Sequence, residues 1–365
     1  MRALLVTSVH RSDDPRIRER TLRSLAAVFE VRYAAGRPRP SADGDHEWVE
    51  LRGGRLRRGW GALRQMLRGD IGIVSVHDPE LIPAALIARV LRRVPVVVDV
   101  HEDVPAQVRY REWIPSLLRL PAVVLSRLLL RLAERFCKIT LAEANYRHLF
   151  RKDHPVFPNY PAAGSLPGLD RDGGYLVYVG DVSGDRGAED MVDAVAAMAS
   201  PLPLRLIGRC RPDLVAPLLG RAADLGVSLS ITGPVPHRAA MEEVAGASAG
   251  LSLLHDLPNY RDSLPTKVVE YLEMGVPVVA SDLRGTREVV ESLTGVALVP
   301  PGDTAAVAAA LDRMVAGPKV RLAAAAQAAA LRERLAWPGD EVTAFYLQVA
   351  GAGQEPGVAS APSKG

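Results

Sequence analysis

Only two cysteines, Cys137 and Cys210, occur in 365 residues, far apart and without metal-ligand spacing. That argues against a disulfide framework or a thiolate metal site and fits a reducing compartment. No window holds eighteen apolar residues free of charge, so no segment reads as a membrane span. The opening MRALLVTSVHRSDD turns polar after a short apolar run and does not read as a signal peptide, so a cytoplasmic location is expected. The net charge is only +3, so no strong field for nucleic acid is implied. The first loop, SVHRSDDPRIRER, lacks G-x-G-x-x-G, which argues against a dinucleotide cofactor there.

What is present is a packed α/β chain, 48% hydrophobic and 24% charged, long enough for two domains. Buried strands are expected at 2–7, 31–35, 47–51, 71–76, 94–100 and 139–142, with helices over 15–29 and 80–92 between them. Strands alternating with helices predict a parallel doubly wound sheet. Residues 158–174, rich in proline and glycine, read as a linker. A second round follows: strands at 175–180, 203–208, 227–233, 249–254 and 296–300, helices at 187–199 and 237–245, and an alanine-rich helix over 303–335. The expected domains are 1–165 and 170–336, with a disordered tail over 351–365.

The stretch DSLPTKVVEYLEMGVPVVASD, 262–282, carries the strongest chemical signal. It predicts a helix capped by Ser263, with Pro265 in its first turn and Gly275 ending it, then a strand buried on both sides. The helix N-terminus and Lys267 suit a diphosphate; Glu270, one turn deeper, suits the vicinal diol of a ribose. An isolated K-x-x-E would be an ordinary surface ion pair, but the string as a whole resembles the nucleotide-sugar motif P-x-K-x-x-E-Y-x-x-x-G-x-P-V-V-A-S of family 4 glycosyltransferases, the glycosyl transferases of group 1. Pro265, Lys267, Glu270, Tyr271, Gly275, Pro277 and Ser281 match it. Asp262, eight residues before Glu270, stands where relatives carry a second glutamate.

The resemblance implies the GT-B arrangement: two Rossmann-like domains facing a central cleft, with the stretch 337–350 returning to the first domain. It extends to H-x-x-x-D-x-R-I at His10, Asp14, Arg16 and Ile17, to H-D-P-x-L at His77 and Asp78, and to D-V-H-E-D-x-P at Asp99, His101, Glu102 and Asp103. All three loops follow strands, where ligands of open α/β sheets bind. The resemblance places His101 near the donor sugar and its leaving phosphate and the other loop residues on the acceptor side. In the second domain, GDVSGDRGAED matches the K-G end of a phosphate-holding signature through Arg186 and Gly187, with Gly180 and Gly184 allowing close approach; Asp181 replaces the signature's first arginine. Thr232, Gly233 and Val235 correspond to a segment that reads the nucleobase, and Asp262, Ser263, Leu264, Pro265 and Thr266 complete the donor-binding set.

A retaining glycosyltransferase is therefore expected, moving a sugar from a nucleotide diphosphate sugar to a carbohydrate, lipid-linked or natural-product hydroxyl, without a metal or other cofactor. A non-hydrolysing nucleotide-sugar epimerase and a catalytically silent nucleotide-sugar-binding protein remain as alternatives. Two arginine-rich segments add a possible anionic membrane surface. Residues 52–69 read as an exposed basic loop. In 109–135 a regular helix is expected from Pro121, and its stripe Val124, Leu125, Leu128, Leu129 and Leu132 reads more readily as a core face than as a membrane face.

Overall fold

The computed structural model describes residues 1–12, 14–36, 46–110, 114–162, 166, 173–263 and 265–351. Leu264, Trp113, much of the expected linker and the tail beyond 351 lie outside the described residues. The chain forms two compact units, Met1–Pro158 with Pro338–Gly365, and Asn159–Trp337.

The first unit is built on six parallel strands: β1 (Arg2–Val6), β2 (Glu30–Ala35), β3 (His46–Glu50), β4 (Ile71–Val76), β5 (Val96–Val100) and β6 (Lys138–Leu141). They lie in the order β3-β2-β1-β4-β5-β6. The runs IGIVSV and VVVDV are buried nearly throughout, as central parallel strands covered on both faces must be. A π-helical turn, Arg16–Leu22, leads into α1 (Arg23–Ala26), where the sequence predicts one helix running to Phe29. The other helices are α2 (Arg55–Met66), α3 (Ile82–Arg92), α4 (Val104–Tyr110) and α5 (Ser116–Phe136). Right-handed crossovers put α2, α3 and α5 on one face of the sheet; α2 packs on α3, and α3 on α5.

Three expectations for this unit are corrected. Residues 55–66 form a helix rather than a basic loop: Gly59 and Gly61 each cost about 1 kcal/mol, but Ala62 and Met66 enter the core, and packing decides. Helix α5 begins at Ser116, with Pro121 inside it, because the proline costs one backbone bond near an exposed helix start. Its core face is Val123, Leu130 and Ala133, whereas Val124, Leu125 and Leu128 are exposed.

The second unit repeats the plan with β7 (Leu176–Val179), β8 (Leu204–Ile207), β9 (Leu229–Thr232), β10 (Ala249–Ser252), β11 (Val278–Ser281) and β12 (Val296–Val299). Their order, β12-β11-β10-β7-β8-β9, is all parallel and equivalent to that of the first sheet. The helices are α6 (Ala188–Ala196), α7 (Pro212–Asp224), α8 (His237–Ala245), α9 (Thr266–Glu273), α10 (Arg284–Val290), α11 (Thr304–Val315) and α12 (Pro318–Arg334). The alanine-rich stretch is thus two helices, broken at Gly317-Pro318. One core lies among Met191, Val195, Leu218 and Leu311, the other among Met241, Val268, Leu272 and Leu331.

The last helix, α13 (Gly339–Val349), belongs to the first unit. It packs on α1, buries Val342 and Tyr346, and Thr343 Oγ1 donates to the carbonyl of Ser24 at 3.1 Å.

Candidate active site

In each sheet the strand order reverses once, between β1 and β4 and between β7 and β10. Loops leaving the carboxyl ends of strands at such points are where open α/β sheets hold ligands. The candidate residues gather there in two clusters, one per unit.

In the second unit, α9 is buried from Lys267 to Glu273, and Gly275 follows in the left-handed region to end it. Its N-cap position is Pro265, without a side-chain cap, so Ser263 does not cap the helix as the sequence predicts; the residue preceding the helix is the proline itself. Lys267 is buried, with Nζ 4.1 Å from the centroid of the Tyr178 ring. A Cβ on Gly180 would come within 3.1 Å of that ammonium, so this position must be small. Arg186 lies over the ring of Tyr260 at 5.7 Å. Gly187 behind it has φ +75°, and a Cβ there would meet the carbonyl oxygen of Leu253 at 2.3 Å, so only glycine lets the loop turn into α6. Gly184 opens the short turn that carries Arg186. Tyr260 OH donates to Asp185 Oδ2 at 2.6 Å, and the His255 amide donates to the Asp185 carbonyl at 3.0 Å, tying the β7 and β10 loops together.

These contacts set the electrostatics. Burial, then the charge of Arg186, pushes the Lys267 ammonium down to about 7, against the pull of Glu270 and Asp181. Arg186 is itself desolvated, yet Tyr178, Tyr260 and Asp181 keep its pKa raised. Two cations thus lie beside phenol rings, where an anion would relieve their repulsion. Glu270 is buried, and its Oε1 meets His237 Nε2 at 3.0 Å. His237 begins α8 directly after the loop that follows Thr232 at the end of β9; Thr232, Gly233 and Val235 are exposed. The sequence reading passed over His237, Tyr178 and Tyr260; a histidine closing the ITGPVPH loop was the available signal. Tyr271, the residue after Glu270, is structural: its hydroxyl accepts the Val179 amide at 2.8 Å. Asp181 lies 3.5 Å from Arg209, and Asp262 is paired with Arg284.

In the first unit the cluster centres on buried Asp99. Arg16 grips both of its oxygens, Nε to Oδ2 at 3.1 Å and Nη2 to Oδ1 at 2.9 Å, while Nη1 donates to the Phe157 carbonyl at 2.9 Å. Thr140 Oγ1 donates to Oδ1 at 2.8 Å, and His101 Nε2 sits 2.7 Å from Oδ2. His77 Nδ1 is 3.2 Å from His101 Nε2; its Nε2 meets Ser75 Oγ at 3.2 Å, which meets the Tyr346 hydroxyl of α13 at 2.7 Å. Burial works to raise the Asp99 pKa, but Arg16 and His101 hold it well below the carboxylate range. Burial, with Arg16 and His77, lowers His101 against the pull of Asp99. His10 is raised to about 9, because Asp14 and Asp78 outweigh its burial.

The other first-unit candidates divide. Asp78 fastens the β1 loop, accepting from Thr7 Oγ1 at 2.7 Å and from the Ser8 and Val9 amides. Asp103 accepts the Ala106 amide at 2.8 Å as an N-cap of α4. His10, His77, Asp99, His101 and Glu102 line one small cavity. Among the described residues, His77, Asp99 and His101 are close enough to share a metal ion. The fit is poor, because the Arg16 guanidinium already occupies both Asp99 oxygens.

Residues 173–316 match the family described as "Glycosyl transferases group 1". Alpha-D-kanosaminyltransferase of Streptomyces kanamyceticus is 30% identical over 190 residues, 50% of this chain and 47% of that protein. The match thus spans about half the length of that curated relative. Among solved structures, Anabaena Alr3699/HepE, in complex with UDP and glucose, superposes with a TM-score of 0.72 at 16% identity, over 96% of this chain and 100% of that one. Sucrose-phosphate synthase from Thermosynechococcus elongatus gives 0.74 at 15% identity, over 96% and 99%. Both likenesses are likenesses of fold.

Proposed function

We propose that the protein is a retaining glycosyltransferase that takes a sugar from a nucleotide diphosphate sugar to an acceptor hydroxyl; the match of residues 173–316 to the group 1 glycosyltransferases and the GT-B fold of the chain support this reading. The observation that carries this reading is the pair of cations Lys267 and Arg186, the first 4.1 Å from the centre of the Tyr178 ring and the second 5.7 Å from that of Tyr260, with burial and then Arg186 lowering the lysine's pKa. A bound diphosphate would neutralise both and restore the lysine's full charge. Glu270 would accept the ribose hydroxyls, with His237 fixing its carboxylate. Thr232, Gly233 and Val235 would meet the base. Asp262, Ser263, Pro265 and Thr266, with Gly180 and Gly184, would lie along the phosphates and sugar.

In the reaction the bond from the anomeric carbon to the β-phosphate oxygen breaks, and a bond from the acceptor oxygen to that carbon forms on the same face. The acceptor proton passes to the departing phosphate. The cations act where negative charge grows, so they favour the transition state over the bound donor, and the proposal requires no metal. His101, set by Asp99, would act beside the sugar and leaving phosphate, with His10, Arg16, His77, Asp78, Glu102 and Asp103 shaping the acceptor side.

Calorimetric titration with UDP, GDP and TDP tests the donor site. One of them is expected to bind, and Glu270→Ala to weaken it by roughly 10- to 150-fold, from bonds worth about 1.5–3 kcal/mol to a charged group. A folded Glu270→Ala protein with unchanged affinity would remove the ribose assignment.

A further inference from the structure

The last helix of the chain reaches the first-unit cluster through a line of buried polar atoms. Tyr346 of α13 is buried, and among the described residues Ser75 Oγ, at 2.7 Å, is the one hydrogen-bond partner of its hydroxyl. Ser75, near the end of β4, is buried as well, and its Oγ also meets His77 Nε2 at 3.2 Å. His77 Nδ1 lies 3.2 Å from His101 Nε2 and 3.5 Å from Asp99 Oδ2. His101 Nε2 lies 2.7 Å from that same oxygen. All of these residues belong to the first unit.

The two ends of the line fix the direction of every bond in it. At one end, burial pushes the Tyr346 phenol up, so it keeps its proton. A buried donor left without an acceptor is costly, so the phenol donates to Ser75. The Ser75 hydroxyl then donates to His77 Nε2, the acceptor within its reach. A proton on Nε2 would put three protons into two bonds and orphan one of them. His77 therefore carries its proton on Nδ1. At the other end, burial works to raise the Asp99 pKa, but Arg16 and His101 hold it low, so the carboxylate only accepts. The proton between His101 and Asp99 thus sits on His101 Nε2, and the His77 Nδ1 proton faces the same carboxylate oxygen. Burial lowers the His101 pKa, so its second nitrogen, Nδ1, keeps a lone pair. The backbone is held separately, because the Tyr146 hydroxyl donates to the His101 carbonyl at 2.9 Å.

We propose that Tyr346 is a positioning residue for His101: through Ser75 it fixes the tautomer of His77, which leaves the His101 Nε2 proton to Asp99 alone. Without the phenol, Ser75 can turn and accept from His77. The His77 proton then moves to Nε2, and its bare Nδ1 competes with Asp99 for the His101 proton. The consequence for turnover rests on the glycosyltransferase reading; the tautomers do not.

The test uses the full chain with ¹⁵N in its eight histidines. Two-bond ¹⁵N–¹H spectra separate Nδ1–H from Nε2–H imidazoles, and His77→Gln and His101→Gln assign the two signals. Wild type is expected to show His77 protonated at Nδ1 and His101 at Nε2. Tyr346→Phe, which keeps the ring and its packing, should release His77 into a mixture of tautomers. With whichever UDP-, GDP- or TDP-linked sugar the wild type turns over, it should lower kcat by about 10- to 100-fold and leave nucleoside diphosphate affinity unchanged. In a Ser75→Ala background, where the line is already cut, Tyr346→Phe should change kcat no further. Wild-type His77 protonated at Nε2, or unchanged tautomers in Tyr346→Phe, would overturn the proposal. So would a released tautomer with kcat intact, or a full loss of kcat from Tyr346→Phe in the Ser75→Ala background. A wild type that turns over none of these sugars counts against the glycosyltransferase reading, and the tautomers then decide the proposal by themselves.

Discussion

Lys267→Met probes the electrostatics of the donor site in both its empty and filled states. In the empty protein the lysine pKa falls from 10.5 to about 7, through burial first and Arg186 second. Between those values the unfolded chain holds more protons than the folded one, so stability rises with pH through that window. The penalty is fully present below about pH 7 and is gone above about 10.5. At 1.36 kcal/mol per pH unit it amounts to about 4–5 kcal/mol. Methionine, of similar length and without charge, removes it. Chemical denaturation should therefore find Lys267→Met more stable than wild type near neutral pH, with the advantage shrinking as pH approaches 10.5. Binding reverses the sign. At pH 8 only about one tenth of the lysine is protonated in the empty site, so capturing a diphosphate draws in about 0.9 proton, and affinity falls about tenfold per pH unit above 7. Titrations in buffers of different ionisation enthalpy measure that uptake. Lys267→Met should bind nucleoside diphosphate weakly and without it. Uptake near zero in wild type, or equal uptake in the methionine variant, would refute a diphosphate at Lys267.

His101→Ala should lower kcat by on the order of 100-fold or more while nucleoside diphosphate affinity, measured by titration, stays near wild type; loss of that affinity would place the histidine in the wrong role. Asp99→Asn should cost about 3–5 kcal/mol, because it leaves the buried Arg16 guanidinium uncompensated, read as an early transition of the first unit in denaturation. In wild type the Asp99 contribution, whose folded pKa is depressed, is present above the usual carboxylate range and lost as pH falls below it. Gly187→Ala should destabilise the second unit by more than about 2 kcal/mol, from the left-handed backbone and the Leu253 carbonyl in the way; an unchanged melting temperature would show that the loop adapts.

The parallel strands were legible because burial on both faces leaves an unbroken apolar run: VVVDV and IGIVSV can hardly be anything else. The loops at their carboxyl ends were legible through residue type, since His77 and His101 follow strands, and Asp99 lies near the end of one, where a structural residue would more often be small or apolar. What the local pattern could not give was pairing over distance. Arg16 and Asp99 are 83 positions apart, and Ser75 and Tyr346 are 271 apart. His237 and Glu270, 33 positions apart, meet because α8 and α9 pack into one hydrophobic cluster. The outward stripe of α5 was misread for a different reason. Amphipathic spacing fixes which residues share a helix face, but not which of two apolar faces the sheet takes. The smaller set, Val123, Leu130 and Ala133, packs closer to the strands, and the leucines are left outside.

The central claim is transfer of a sugar, and turnover measures it directly. The full chain is incubated with UDP-, GDP- and TDP-linked sugars, each with and without a panel of hydroxyl acceptors, and the products are followed by mass spectrometry and anomeric NMR. The account predicts release of one nucleoside diphosphate matched by an equal amount of a new glycoside with the donor's anomeric configuration, dependent on acceptor and diminished in Glu270→Ala. Donor converted to its epimer without acceptor, or a bound donor that remains intact with every acceptor, would contradict it.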